Sequence, residues 1–363
     1  MQAGPYLRMV HNRNSLDVAT LPKVLLHDHL DGGVRAATLV DFADASGYDR
    51  LPSDDPVQLE RQLREVAARG NLVSYLESFE HIIALLQSTE ALQRVAAECV
   101  QDLAADGVVY AETRFAPLAH TRDGLSLDDV VEAALAGLAK PQVTGGGPVV
   151  RLILTALRHQ PHAQQVARAA VRWRDDGVVG FDVAGPERGF PAEAHQDALR
   201  YLREHDMPYT IHAGEAVGPA AVAAALHLGA RRVGHGVRLA DELDHTRDPA
   251  GIGPIGAEVL ARGLPLELCP TSNVHTGVVD SVADHPVDAL LHAGFAVTVN
   301  TDNRLVSGVS VGSELQACIE HFGWRAQQLY AVTRTALDAA FIDEAERRKI
   351  WTDRIAPVLS PAL

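Results

Sequence analysis

Lys23-Val-Leu-Leu-His-Asp-His-Leu-Asp-Gly-Gly33 is the stretch from which the fold can be read. Three apolar residues, Val24 to Leu26, run into His27-Asp28-His29 and stop at a glycine pair, the pattern of a short buried strand ending in a turn. Side chains alternate along a strand, so His27 and His29 share one face at its C-terminal end, close enough to hold one metal ion, while Asp28 points away. An H-x-H pair alone is weak evidence for a metal. Its weight depends on whether later strands end in further ligands.

They do, and in a regular order. After the first strand, apolar residues recur at helical spacing in Ala37 to Ala43, Tyr75 to Leu86 and Leu92 to Leu103, and then Val108 to Pro117 reads as a second strand. Strands are further expected at Val149 to Ala156, Val178 to Gly185, Tyr209 to Gly214, Arg232 to Gly236, Pro265 to Pro270 and Phe295 to Asp302. Helices fall between them at Leu127 to Leu138, Ala163 to Trp173, Ala192 to His205, Pro219 to Leu228, Ile255 to Arg262 and Val287 to His292, with Ala326 to Leu337 following. Eight near-continuous apolar strands, each followed by a helix, predict a parallel sheet covered by helices and closed into a (β/α)8 TIM barrel. The first strand-to-helix turn has no G-x-G-x-x-G, which argues against a doubly wound dinucleotide-binding sheet. Residues 1–20 read as an N-terminal arm and 21–363 as a single domain, with a helical insert, 36 to 106, after the first strand. Part of the Tyr75 to Leu86 stripe lies where it can roof a site.

The 363 residues are 47% hydrophobic and 22% charged, with a formal charge of −15 and no basic block, which argues against nucleic acid or an anionic bilayer as partner. No run approaches the length of a membrane span. Cys99, Cys269 and Cys318 are odd in number, widely spaced and without C-x-x-C, so neither a disulfide framework nor a zinc ribbon is expected and a cytoplasmic setting fits.

In such a barrel the chemistry gathers at the C-terminal ends of the strands. Those ends carry His27 and His29, His212, His235 and Asp302, with Glu215 just beyond the fifth strand. His81, His195, His205, His227 and His245 fall in helices or connections, where solvated or packing roles are the expectation. Three imidazoles and a carboxylate, His27, His29, His212 and Asp302, form an ordinary Zn2+ shell that leaves a place for water; iron or manganese would suit the same ligands. No strand ends in Lys, so no carbamate bridge to a second ion is expected: one Zn2+ per chain. Glu215 has the reach to act as a proton donor, its bland alternative being a carboxylate that favours the next helix's dipole. His235 is placed to orient or deprotonate the water.

The motifs P-K-x-x-L-H-x-H-L-D-G (Pro22 to Gly32), V-V-Y-x-E-x-R-x-x-P (Val108 to Pro117), D-x-A-G (Asp182 to Gly185), H-A-G-E (His212 to Glu215), G-H-G (Gly234 to Gly236), C-P-T-S-N (Cys269 to Asn273) and N-T-D (Asn300 to Asp302) occur in this order. As a set they resemble the adenosine deaminase family, metal-dependent aminopurine deaminases of the amidohydrolase superfamily. The resemblance implies hydrolytic deamination of adenosine or 2′-deoxyadenosine to inosine and ammonia. In it a zinc-bound hydroxide attacks purine C6 while Glu215 protonates N1 and His235 and Asp302 steer the attack. It also implies substrate contacts from His29, from Asp31 at the ribose 5′ end, and from the Gly185 backbone N–H to purine N3. Arg114 is expected in a buried ion pair, and Cys269 to Asn273 in a rim loop without an assigned role.

One position departs from the family pattern. Many members have a second Asp after the metal ligand, contacting purine N7; here it is Asn303, followed by Arg304. An Asn amide donates to N7 without needing a proton, so the contact can survive. Arg304 near the rim leaves an anionic substituent on the substrate open. The rival readings are therefore a deaminase of adenine, AMP or a modified nucleoside such as aminofutalosine, and a non-catalytic ligand-binding relative. Asp31 favours a ribose-bearing substrate, and the scarcity of Lys argues against AMP.

Overall fold

The structure, a computed structural model, describes residues 17–71, 74–75, 79–140, 147–244, 246 and 251–359. Eight parallel strands follow one another around a sheet in chain order: Lys23–His29, Val108–Phe115, Val149–Leu157, Val178–Ala184, Tyr209–Ala213, Arg232–His235, Leu266–Leu268 and Val297–Val299. The last strand returns to the first. A parallel bridge joins Asp28 to Asp302, with His29 N donating to Asp302 O at 2.7 Å and Asp302 N to His27 O at 3.0 Å. The expected (β/α)8 barrel is thus nearly closed, with helices outside it.

Helix starts are set by local chemistry. Asp55 caps Pro56–Ala67, Ser88 caps Thr89–Ala105, and Ser126 and Asp129 form a reciprocal capping box on Leu127–Leu138. Pro56–Ala67 lies inside the expected insert but has no counterpart in the apolar pattern, because only Leu59, Leu63 and Ala67 are buried on it. Ala36–Ser46 and Phe79–Leu85 complete the described helices of that connection. Of the expected arm, residues 1–16 lie outside the described residues, whereas Val18 is buried in the turn Val18–Thr20. His245 is also outside them. Several expected strands prove shorter, two of them markedly: Pro270 opens a helix, Pro270–His275, and the eighth strand is confined to Val297–Val299.

The first strand does not pair evenly with the second; its register shifts between Leu25 and Asp28. The freed backbone donors are satisfied by a side chain. Asn300 Oδ1 accepts the N–H of Leu26 at 3.0 Å and of His27 at 3.1 Å, while its Nδ2 donates to Thr298 Oγ1 at 2.9 Å. An irregular buried backbone needs such partners.

The barrel interior is partly ionic. Glu267, fully buried, accepts from His27 Nδ1 and Arg114 at 2.9 Å each and from Arg232 Nε at 2.5 Å. Arg232 also reaches Glu112 at 2.6 Å, and Arg114 lies 3.6 Å from Asp182. The expected buried ion pair of Arg114 is therefore one edge of a larger network. Removing one member leaves charge stranded in low dielectric. Glu267→Gln is expected to destabilise the fold by about 3–5 kcal/mol, read as a lower urea midpoint at unchanged slope.

Candidate functional site

All the expected site residues meet at the C-terminal rim. A cavity of about 350 Å³ opens there, lined by His29, Asp31, Gly185, His212, Glu215, His235, Asp302 and Asn303 among others, and His27 lies buried beneath its floor. Tyr75, Phe79 and Ile83 contribute to the lining, so the stripe expected to roof the site does reach it.

The imidazoles are oriented from behind. His27 Nδ1 is committed to Glu267 and His212 Nδ1 to Asp182 at 3.0 Å, so each ring turns its Nε2 lone pair inward. His27 Nε2 is buried without a hydrogen-bond partner. Asp302 Oδ1 lies 3.5 Å from that atom and 3.3 Å from His29 Nε2. Burial holds the His27, His29 and His212 pKa values below the ordinary 6.5, His212 at about 4, which is the neutral form a metal requires. Ring centroids separate His212 from His27 by 4.6 Å and from His29 by 5.5 Å. An orphaned inward nitrogen among neutral imidazoles and a carboxylate fits a metal ion.

Asp302 is held in place on its far side, where Ser272 donates to Oδ2 at 2.6 Å. Burial raises the Glu215 pKa, and the Asp302 and Glu187 carboxylates add to the rise while His235 opposes it. Glu187 also shapes that loop. Its carboxylate, itself buried, accepts the backbone N–H groups of Gly214, Glu215, Ala216 and Val217 at 2.7, 3.2, 2.7 and 2.9 Å, fixing the turn that presents Glu215. Gly185 has φ +99°, and a Cβ there would meet His159 at 3.3 Å, so the turn requires a glycine.

Asp31 faces the other end of the cavity. Burial pushes its pKa up, but the hydrogen bond and charge of His120, 3.4 Å away, outweigh this and hold the carboxylate below its usual range. Asn303 Nδ2 donates to Tyr75 Oη at 2.7 Å, and its buried Oδ1 has no hydrogen-bond partner. Arg304 corrects the sequence reading. It does not line the cavity; its side chain is 9% exposed, and its Nε holds Asp28 Oδ1 at 2.7 Å behind the first strand. The lining arginine is Arg122, exposed at the mouth.

Sequence reasoning gave no role to Glu187, Asp182, Glu267, His120 or Ser272. Glu267 did carry a signal, a lone charge between leucines on a buried strand.

The chain matches the model of the adenosine deaminase family over residues 22–357. It belongs to that family. It is 47% identical over 349 residues to adenosine deaminase of Mycobacterium leprae, covering 94% of this chain and 96% of that one. With adenosine deaminase of Mycobacterium tuberculosis H37Rv it shares 48% identity over 342 residues, covering 93% and 94%. Among solved structures, Arabidopsis ADAL complexed with IMP aligns with a TM-score of 0.81 at 25% identity over 95% of this chain and 99% of that one. Adenine deaminase from Arthrobacter aurescens aligns at 0.80 and 24%, over 94% and 99%. Family membership makes the protein a hydrolytic deaminase of a metal-dependent family, and its His/Asp cluster has the donors to hold a metal ion.

The lowered imidazoles give the metal-free protein a pH signature. In His27, His29, His212 and His285 the folded pKa lies below the unfolded value of 6.5, so the unfolded chain binds more protons once the pH falls through 6.5. Their contribution is complete above 6.5 and shrinks toward pH 4. Glu215 and Glu314, both raised, the latter to about 7, act in the opposite sense, two groups against four. The calorimetric midpoint of chelator-treated protein is expected to be lower at pH 5 than at pH 7; equal midpoints would contradict the electrostatics described.

Proposed function

We propose that the protein converts adenosine and 2′-deoxyadenosine to inosine or 2′-deoxyinosine and ammonia, with one Zn2+ per chain held by His27, His29, His212 and Asp302, in a cytoplasmic setting that suits its three buried free thiols. The observation that carries this reading is Glu215, a buried carboxyl with a raised pKa facing the metal-binding cluster across one cavity. When bound, the metal supplies Lewis acidity, lowering the pKa of water toward ~7.

The residues do the rest. C6 of a purine is a poor electrophile until N1 is protonated, and Glu215, whose affinity for a proton is raised by burial, donates that proton. The oxygen of water adds to C6 with His235 and Asp302 steering it and a carboxylate taking one of its protons, the ring carbon becomes tetrahedral, and the amino group takes the second water proton and leaves as ammonia. Gly185 offers its backbone N–H to N3. Its positive φ turns the chain there without a side chain in the way. Asn303 faces the purine from the far rim, its amide retaining a second hydrogen beyond the one given to Tyr75. Asp31, kept ionised beside His120, accepts from the ribose 5′-hydroxyl.

That same carboxylate sets the preference against a 5′-phosphate. Arg304, its Nε held by Asp28, does not line the cavity and so offers no phosphate cradle there. Like charges juxtaposed cost several kcal/mol, so kcat/KM for AMP is expected to fall on the order of 100-fold or more below that for adenosine.

The test is a panel of adenosine, 2′-deoxyadenosine, adenine, AMP and aminofutalosine with zinc-loaded protein, followed by absorbance. Adenosine is expected to be the preferred substrate, and no turnover on any member would overturn the reading. Glu215→Gln is expected to keep its metal and lose about 10²–10⁴ in kcat, whereas His212→Ala loses the metal.

A further inference from the structure

His235 closes the sixth strand with φ +59°, its ring 4.9 Å from that of His27 and 5.3 Å from that of His212. Its Nε2 is 3.7 Å from Glu215 Oε2. With His27 and His212 it forms a trio close enough to hold a metal. Position alone thus leaves two opposite roles: a lone pair offered as ligand or base, or an N–H offered as donor. The groups behind the ring decide between them.

The deciding atom is 52 residues away in sequence, at Val287. Its backbone N–H, which can only donate, points to His285 Nδ1 at 3.1 Å. That nitrogen is therefore a lone pair, and the single proton of neutral His285 sits on Nε2. Nε2 lies 3.1 Å from Asn273 Oδ1 and donates to it. An amide turned with its oxygen to His285 has its nitrogen on the other side, and Asn273 Nδ2 reaches His235 Nδ1 at 3.2 Å. The reversed amide is excluded, because His285 would then accept at both nitrogens and carry no proton. Burial and the neighbouring His235 push the His285 pKa down to about 3, so the ring is neutral at physiological pH. Asn273, His285 and His235 are at most 2% exposed, so water does not compete for these bonds.

We infer that Asn273 and His285 are positioning residues that lock His235 in its Nε2–H tautomer, so that it presents a hydrogen-bond donor to the oxygen adding at C6. The consequence for catalysis rests on the deaminase reading; the tautomer itself does not. A ring with its proton on Nε2 neither ligates a metal there nor takes a proton from water. Of the two roles left open by the sequence, orienting and deprotonating, this assigns orienting. A fixed donor aimed at an oxygen that gains charge favours the transition state. The proton of the attacking water goes instead to a carboxylate, Glu215 or Asp302.

The experiment reads the tautomer directly. Zinc-loaded protein labelled with 15N-histidine is examined by long-range 15N–1H correlation, the His235 signals being those lost in His235→Gln. In the wild type, Nε2 is expected to be protonated and Nδ1 not; a protonated Nδ1 would overturn the lock. In Asn273→Asp the carboxylate accepts from both rings, so the His235 proton is expected to move to Nδ1. There kcat for adenosine should fall about 10–100-fold with KM within about twofold. A moved proton with undiminished kcat would overturn the catalytic consequence. If Asn273→Asp does not fold, the wild-type spectrum still decides. Wild-type protein that shows the Nε2–H tautomer but does not turn over adenosine would sink the substrate assignment and leave the lock standing.

Discussion

The carboxylate of Glu267 sits at the middle of the barrel, and His27, Arg114 and Arg232 close on it from three other strands. Burying a charge is costly, and two guanidiniums with an imidazole N–H offset that cost only while every strand keeps its register. The same contact fixes the tautomer of His27 and sends its free nitrogen into the site. Asp182 does this for His212, and Asn273 does the reverse for His235. The metal-facing rim is therefore the upper surface of a polar layer that also holds the barrel together. The same strands also carry Leu25, Leu152, Val178 and Val233, fully buried and apolar.

Of the three non-glycine residues with positive φ among the described residues, Asp206 lies in a helix-to-strand turn and the other two stand on this rim. Asp302 and His235 both adopt the left-handed backbone, at φ +57° and +59°. Side chains rarely tolerate this, and it persists where surrounding bonds impose it. For Asp302 those bonds are the backbone pair with His27 and His29 and the Ser272 hydroxyl. For His235 they include the Asn273 amide. The two residues that steer the attacking oxygen are thus held by contacts on several sides.

The barrel and the cluster at its rim were legible in the sequence because both obey short-range rules: apolar runs of strand length, and histidines or Asp302 where those runs stop. What supports the ligands was not legible. Nothing local joins Glu267 to His27 or Asn273 to His285 and His235, since these pairs meet only once the sheet has curled. Arg304 shows the limit most plainly. Its place after Asn303 suggested the rim, yet Asp28 on the adjoining first strand draws it behind the site. The Asp28 side chain, rightly expected to point away from the metal, gave no hint of that partner. Helix Pro56–Ala67 escaped for the opposite reason: its cap was readable, but its buried face is only three residues wide.

The seam between the eighth strand and the first is unlike the other joints of the barrel. Among the described residues it is one parallel bridge, flanking backbone bonds and the Asn300 side chain, where the second and third strands share six register pairs. His27 and His29 stand on one lip of that seam and Asp302 on the other. An ion gripped by all three is then also a clasp between the first turn of the fold and its last. Cofactor loading and the closing of the hoop become a single event, and the chemistry sits where the chain's early and late segments have to find each other.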